Sequence, residues 1–220
     1  MLNYRQVMKI GLFSDTYLPS VNGISYVLEI TAERLRELGH EVYIFAPASN
    51  IRGVEETDHE YVYRFPAVEG IFFDEQLTSV FFPPLAYQKI KSLDLDIIHC
   101  FTPGQVGTLG MYVALKTNVP LINQYSTDLH EYVEKYPYAV PATIALLLSA
   151  PWMLRLSPRE TIKLLSALRP TRGITRWQRQ MIMRAHVAIH DSCDAVVALS
   201  PKMQHKLDSW GSKTKSTLLP

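Results

Sequence analysis

Short apolar segments recur along the chain, and each is followed by a stretch with helical spacing. Segments that are rich in valine and isoleucine and apolar at consecutive positions are typical of parallel strands covered on both faces. The pattern predicts such strands at residues 7–14, 41–47, 61–66, 95–101, 119–125 and 194–200. The last six residues, 215–220, have the pattern of the start of a further strand.

The stretches between these segments predict helices. One apolar helix face is predicted between the first two strands, at Val27, Ile30, Leu35 and Leu38. Gly39 follows, and glycine is typical of the position just after a helix. A second helix, rich in small residues at its start, is predicted at 103–118. This alternation of strands and helices predicts an α/β fold with a Rossmann-like, doubly wound parallel sheet.

Residues 137–184 interrupt the alternation, because they contain no recognisable strand and are predicted to be helical. Eight basic residues and a single acid, Glu160, give this segment a net charge of +7 within a chain whose net charge is +1. A solvated helical face, a nucleic-acid surface and an anionic membrane surface could each carry such charge. Apolar residues and tryptophans lie beside the arginines, which favours the membrane. The predicted membrane residues are Trp152, Arg155, Arg169, Arg172, Arg176, Trp177 and Arg179.

Composition adds limits on the class of protein. The chain has 220 residues, of which 47% are hydrophobic and 20% charged, as in ordinary globular domains. We expect no nucleic-acid partner, since the net charge is small and no recognition motif is present. Cys100 and Cys193 form neither a disulfide framework nor a metal pattern, and the first residues lack the apolar core of a secretory signal. We therefore expect a cytoplasmic protein without a bound metal.

Ligands of open parallel sheets bind beyond the carboxyl ends of the strands, so the loops there are the candidate sites. The first loop contains Asp15, Asn22 and Gly23, with Gly23 directly before a helix. Glycine at this position lets a diphosphate approach free backbone N–H groups at the positive end of the helix dipole. Alternatively, Gly23 only provides a positive φ angle for a tight turn.

Two further loops contain candidate substrate-binding residues. After the strand at 95–101, Phe101 and Pro103 are expected to line the floor of a pocket, and Gly104 opens the next helix. His99 within this strand is better explained as a core histidine. The loop after the strand at 119–125 collects Tyr125, Ser126, Thr127 and Asp128. Hydroxyl groups beside aromatic rings suit a sugar, although Thr127 or Asp128 could simply cap a helix.

Three stretches, in order, resemble the signature regions of family 4 retaining glycosyltransferases. They read SDTYLPSVNGISYVLEITAERLRELGHEVYIFAP, DIIHCFTPGQVGTLGMYVALKTNVPLINQYSTDL and DSCDAVVALSPKMQHKL. The resemblance implies the N-terminal half of a GT-B fold, spanning residues 1–220 with 137–184 as an individual insertion. It also implies a second, donor-binding domain, with a Glu-x7-Glu pair, that this sequence does not contain, so the fragment alone should be inactive.

The family resemblance also implies roles for particular residues. Gly23 matches the glycine whose backbone approaches the donor diphosphate, with Asp15 and Asn22 shaping the loop. Many members have a Gly-Gly pair, whereas Asn22-Gly23 is similar to lipid glucosyltransferases. Ser126 stands where members often have a histidine that contacts the transferred sugar. Because such enzymes use a front-face mechanism assisted by the leaving phosphate, the resemblance implies no dedicated catalytic base.

The resemblance therefore implies transfer of a hexose from a nucleotide sugar, UDP-glucose above all, to a lipid such as diacylglycerol. The enzyme would be peripheral on the inner face of the cell membrane. Transfer of mannose from GDP-mannose, synthesis of a cell-wall polymer, and a non-catalytic module that binds a glycan or lipid are the alternatives.

Overall fold

The computed structural model describes residues 7–52, 61–69, 77–79, 83–132 and 139–219. These residues form two compact units, one containing the described residues up to 121, the other residues 122–219. Seven strands of the described residues make parallel pairings, and helices alternate with them. The α/β, Rossmann-like fold predicted from the sequence is therefore confirmed.

The first unit is built on a parallel sheet with the strand order β3-β2-β1-β6. A short antiparallel pair, β4 and β5, accompanies it. Its strands are β1 (Lys9–Phe13), β2 (Glu41–Pro47), β3 (Val62–Phe65), β4 (Ala67–Glu69), β5 (Leu77–Ser79) and β6 (Ile97–Cys100). Its helices are α1 (Gly23–Glu37), α2 (Pro83–Lys91) and α3 (Gln105–Thr117). The short strands β4 and β5 and helix α2 were not predicted, because residues 67–91 have no clear period.

The second unit has the parallel strand order β7-β8-β9. Its strands are β7 (Leu121–Tyr125), β8 (Ala195–Ala198) and β9 (Ser216–Leu218), the last of which was predicted from the residues after 214. Its helices are α4 (Leu129–Tyr132), α5 (Ala139–Met153), α6 (Pro158–Leu165), α7 (Ile174–Asp191) and α8 (Pro201–Ser209). A 3-10 turn, Ser166–Leu168, follows α6. From residue 139 to 184 the described residues form helices and connecting turns without a strand, α7 continues beyond 184, and residues 137 and 138 lie outside the described residues.

The core of the first unit lies on both faces of its sheet, with α1 against one face and α3 against the other. Leu12 and Ile44 are fully buried, because a parallel sheet is covered on both faces and its strands are apolar on both. Phe13 stacks on Phe45 with the ring centroids 4.3 Å apart. Burial of these side chains is the main stabilisation of the sheet.

The predicted core face of helix α1 is confirmed at Val27 and Leu35, which pack against the core, but not at the other two positions. Leu28 and Ala32 are buried, whereas Ile30 and Leu38 are 39% and 50% exposed. The prediction was wrong at these two positions because the buried face is centred on Leu28 and Ala32, which it did not include. The end of α1 was predicted correctly: Gly39 has φ +89° and its N–H donates to Arg36 O. A left-handed glycine directly after the helix satisfies a terminal carbonyl in this way.

Candidate functional site

Asn22 caps the N-terminus of α1 and so orders the β1–α1 loop. Its Oδ1 accepts hydrogen bonds from the N–H groups of Ile24 and Ser25, both at 3.0 Å. Ser25 Oγ accepts from the Asn22 N–H at 2.9 Å, which completes a capping box. The Asn22 amide also donates to Thr16 Oγ1 at 2.7 Å. The side chain of Asn22 is thus occupied by the helix terminus, and its part in donor binding stays a prediction.

Gly23 is the first residue of α1, and nothing in the described residues requires a glycine there. Its φ is not positive, so the alternative of a strained turn is wrong. A Cβ atom on Gly23 would meet no atom within 4 Å. Within the described part of the chain, its N–H forms no hydrogen bond. This open N–H group, at the positive end of a 15-residue helix, can therefore donate a hydrogen bond to an anion.

Asp15, at the end of β1, holds the start of α3. Its carboxylate accepts from Thr102 Oγ1 at 2.5 Å and from the Val106 N–H at 2.7 Å. The Asp15 N–H in turn donates to Thr102 Oγ1 at 2.8 Å. Burial raises the pKa of Asp15, although these hydrogen bonds oppose the rise. The Asp15 carboxylate therefore caps the N-terminus of α3, although Asp15 itself follows β1. Its oxygens point toward α3 and Thr102.

Gly104 is required by Asp15. A Cβ atom on Gly104 would lie 2.5 Å from the Asp15 carboxyl carbon. A Cβ atom on Gly107 would lie 1.7 Å from the Thr102 carbonyl oxygen. These glycines let α3 begin directly against the end of β1, which is a packing function that the sequence pattern did not reveal.

Phe101 does not line a pocket, and that prediction was wrong. Its side chain is completely buried in the core cluster around Leu12 and Leu28. The ring centroids of His99 and Phe101 lie 4.3 Å apart. Burial lowers the pKa of His99 to about 4, as expected for a neutral core histidine. Pro103 is partly buried, so only its outer surface can contact a ligand.

In the second unit, the residues after β7 form a charged cluster with α8. The ammonium group of Lys206 lies 2.7 Å from Asp128 Oδ2 and 2.7 Å from Glu131 Oε1. The Tyr125 hydroxyl donates to Asp128 Oδ1 at 3.2 Å. Burial alone would raise the pKa of Asp128, but the Lys206 hydrogen bond and charge lower it. The carboxylate is therefore ionised and mostly buried at neutral pH.

Tyr125 does not offer its side chain to a ligand, contrary to the prediction. Its ring is 1% exposed and packs against His186 and His190, with centroids 5.1 and 5.4 Å away. Burial lowers the pKa values of His186 and His190 to about 3 and about 4, so both rings are neutral. Tyr125 therefore packs on the two histidines with its ring and contacts Asp128 of the charged cluster with its hydroxyl group.

Ser126, Thr127 and Asp128 do share a surface cleft. It has a volume of about 360 Å³ and is also lined by Glu131, Ser200, Lys202 and Met203. Ser200 caps α8, accepting from the Met203 N–H at 3.3 Å. Lys202 and Lys206 were not predicted, since nothing local indicates a contact between Asp128 and Lys206, which are 78 positions apart. Metal-ligating types of atom from Asp128, His130 and Glu131 lie within 4.8 Å of one another, and the Lys206 ammonium group pairs with both carboxylates.

The outer face of α5 is apolar. Residues spaced by one and two helical turns are exposed along it, namely Pro141, Ala145, Leu148 and Trp152. The exposed fraction is 51% for Leu148 and 70% for Trp152. The opposite face packs inward through Leu147 and Ala150. Among the described residues, no helix combines the length and the apolar character that a transmembrane span requires.

The predicted membrane residues divide into exposed and engaged side chains. Arg169, Arg172 and Arg176 are exposed, as is Trp152. Trp177 is partly buried and its indole N–H donates to the Ala167 carbonyl at 3.0 Å, so it helps to hold α7 in place, and its contact with a membrane stays a prediction. Arg155 pairs with Asp194 at 3.4 Å, and Arg179 is partly buried.

The sequence model of the family described as Glycosyltransferase Family 4 matches residues 21–220. The chain belongs to this family. The match spans Gly23 and all three motifs from residue 21 onward, so the family inferred by resemblance is confirmed.

Curated relatives fall into two groups by name. The chain is 32% identical over 126 residues to an alpha-monoglucosyldiacylglycerol synthase of Streptococcus pneumoniae, covering 57% of this chain and 28% of the relative. A synthase of the same name from Acholeplasma laidlawii is 32% identical over 128 residues, covering 57% and 31%. A GDP-mannose-dependent alpha-mannosyltransferase of Mycolicibacterium smegmatis is 28% identical over 146 residues, covering 63% and 37%. The matches thus span about a third of the relatives' length.

Proposed function

We propose that the protein containing this chain transfers a hexose from a nucleotide sugar to a membrane lipid, with retention of configuration at the sugar. Family membership supports glycosyl transfer, and similarity to two glucosyldiacylglycerol synthases supports glucose as the sugar and diacylglycerol as the acceptor. UDP-glucose is the proposed donor. This chain would supply the acceptor-side domain, and a further domain would bind most of the donor.

Gly23 is the proposed point of contact with the donor diphosphate. Its open N–H group and the empty space above it allow a phosphate oxygen to reach the backbone at the start of α1. Asn22 and Asp15 keep this loop in place, through the helix cap and the start of α3 respectively. The chemical contribution of these residues is orientation and stabilisation of phosphate charge, with no side chain assigned as a base.

The apolar outer face of α5 is the observation that carries the lipid part of the proposal. An exposed stripe containing Leu148 and Trp152, on a unit that also exposes Arg169, Arg172 and Arg176, has the composition of a membrane-surface helix and its anionic contacts. We place the enzyme peripherally on the inner, cytoplasmic face of the cell membrane. The cleft lined by Ser126, Thr127 and Asp128 is the proposed position of the sugar and acceptor hydroxyl groups.

A donor screen with the full-length protein tests this function. UDP-glucose, UDP-galactose and GDP-mannose are each offered with diacylglycerol in mixed vesicles, and lipid products are separated and identified by mass spectrometry. We expect glucosyldiacylglycerol with an α linkage from UDP-glucose. Mannolipid from GDP-mannose alone would favour the second candidate, which the mannosyltransferase relatives support. Absence of transfer from all donors, with retained lipid binding, would favour a non-catalytic module.

A further inference from the structure

Arg64 in β3 is bonded to the loop between β1 and α1. Its guanidinium group donates hydrogen bonds to the carbonyl oxygens of Leu18, at 2.6 Å, and Pro47, at 2.8 Å. Leu18 belongs to the loop, and Pro47 is the last residue of β2. The guanidinium carbon also lies 5.0 Å from the centroid of the Tyr17 ring, in cation–π contact. A single side chain therefore ties two successive loop residues to β2 and β3.

Tyr17 extends these contacts to α1. Its side chain is 5% exposed and belongs to the core cluster of the first unit. Its hydroxyl group donates a hydrogen bond to the Glu29 carboxylate. Burial and this carboxylate raise the pKa of Tyr17, so the hydroxyl group keeps its proton at neutral pH. Because Glu29 lies in the helix that begins with Gly23, this bond fixes the loop against that helix.

Movement at Tyr17 and Leu18 would reach the start of α1 through Asn22. The Asn22 amide group donates to Oγ1 of Thr16, the residue before Tyr17, at 2.7 Å, and its Oδ1 caps the helix. Arginine suits this position because its planar, permanently charged fork can bond two carbonyl groups and stack on a ring at once. Hydrogen bonds from a charged donor are also roughly twice as strong as neutral ones. Loss of the guanidinium group would therefore release the loop ahead of Gly23.

We propose that Arg64 is a positioning residue for the nucleotide-sugar donor: it holds the β1–α1 loop so that the Gly23 N–H meets the diphosphate. This role rests on the donor contact proposed above for Gly23. Arg64 acts through the loop backbone, since its Nη1 and Nη2 atoms both donate to carbonyl groups. A displacement of about 1 Å is enough to weaken a contact that depends on the position of one backbone group.

Replacing Arg64 in the full-length protein tests this role. Arg64→Met should raise KM for UDP-glucose about fivefold and leave kcat nearly unchanged, because the contact that Arg64 supports binds the donor. Lys9→Met is the matched control, since the Lys9 ammonium group donates to the Leu93 carbonyl at 3.3 Å, at the opposite end of β1. Urea unfolding should show destabilisation in both variants, whereas KM should rise only in Arg64→Met. An equal rise in KM in Lys9→Met would assign the effect to general stability and overturn the proposal.

Inhibition by fragments of the donor identifies the part of the donor that depends on Arg64. The inhibition constant of UDP should rise about fivefold in Arg64→Met, whereas that of uridine, which has no phosphate, should stay at the wild-type value. Equal rises for UDP and uridine would show that the whole donor site is distorted, which contradicts a role confined to the diphosphate.

A double variant tests whether Arg64 acts through Gly23. A Cβ atom on Gly23 would occupy the open space beside its N–H, so the phosphate is kept away wherever the loop lies. Gly23→Ala/Arg64→Met should therefore have the same KM as Gly23→Ala alone. Multiplication of the two single effects would overturn the proposal.

The single variants separate the two proposals. A normal KM in Gly23→Ala would remove the proposed donor contact and the role of Arg64 with it. A raised KM in Gly23→Ala, combined with a normal KM in Arg64→Met, would overturn the role of Arg64 alone. If Arg64→Met does not fold, Arg64→Lys replaces it: lysine keeps the charge but lacks the planar fork, so we expect KM to rise about threefold. A wild-type KM in Arg64→Lys would then overturn the proposal.

Discussion

Single atoms decide what the β1–α1 loop can contact. The side-chain oxygens of Asn22 and Asp15 accept hydrogen bonds from backbone N–H groups of α1 and α3. Of the three described residues that were predicted to bind the donor, only Gly23 has an open group, its backbone N–H. The hypothesis of a donor-binding loop therefore concerns the backbone N–H of Gly23. The side chains of Asn22 and Asp15 hold the loop around it.

Gly23 and Gly39 stand at opposite ends of α1 and allow a paired test. Gly23→Ala should leave the unfolding midpoint unchanged, because its Cβ meets no atom within 4 Å, but should raise KM for the nucleotide sugar about tenfold. Gly39→Ala should cost about 1 kcal/mol of stability, because φ is +89°, and leave KM unchanged. Urea unfolding and steady-state kinetics measure both. A normal KM in Gly23→Ala would remove Gly23 from the donor site.

Lys206 determines the state of Asp128. Lys206→Met leaves a carboxylate that is 7% exposed with only the more distant ammonium group of Lys202, 3.5 Å away, so we expect a loss of about 2 kcal/mol at pH 7. Lys213→Met, which breaks the exposed pair with Glu160, is the control and should hardly change the unfolding midpoint.

The loss in Lys206→Met should depend on pH. Since the folded pKa of Asp128 lies below its ordinary value of 3.8, the stabilisation in the wild type is complete above that pH and disappears as the pH falls through the folded pKa. The difference in unfolding free energy between wild type and variant should therefore shrink below about pH 4. A difference that stays constant from pH 7 to pH 3 would show that Asp128 does not depend on Lys206.

At the scale of elements, α5 leaves an apolar face exposed. One face contributes Leu147 and Ala150 to the interior, while the other presents Leu148 and Trp152 to the surroundings. Since both faces are apolar, only the structure shows which residues remain for a partner. A helix that is apolar all round requires cover on both sides.

Replacing both outer residues tests this cover. The variant Leu148→Ser/Trp152→Ser should bind neutral phosphatidylcholine vesicles at least tenfold more weakly, because each apolar side chain transferred from water contributes about 1.5–3 kcal/mol. Ile51→Ser, which removes a side chain that is 62% exposed in the other unit, should have no effect. Vesicle flotation at high salt isolates the apolar contribution. Equal binding by all three proteins would show that α5 does not enter the membrane.

Across the whole molecule, what could be predicted followed from local pattern. Strands β1, β2, β3, β6, β7 and β8 were identified because short apolar runs are a property of neighbouring positions. The contacts that define the sites could not be predicted in this way. Asp15 and Thr102 are 87 residues apart, and no period in the sequence connects an acid in one loop with a hydroxyl in another. Phe101 and Tyr125 were misjudged for the same reason, since burial depends on elements far along the chain.

The bond between Asp15 and the start of α3 limits how this loop can be exchanged. Exchanging residues 14–25 between family members, in order to alter donor preference, can add or remove the acidic side chain at position 15. That side chain contacts residues 102–107. With Asp15 in place, a side chain at residue 104 collides with it; without Asp15, Thr102 and the Val106 N–H lose their acceptor. The two segments are one exchangeable part, and chimaeras should carry both across together.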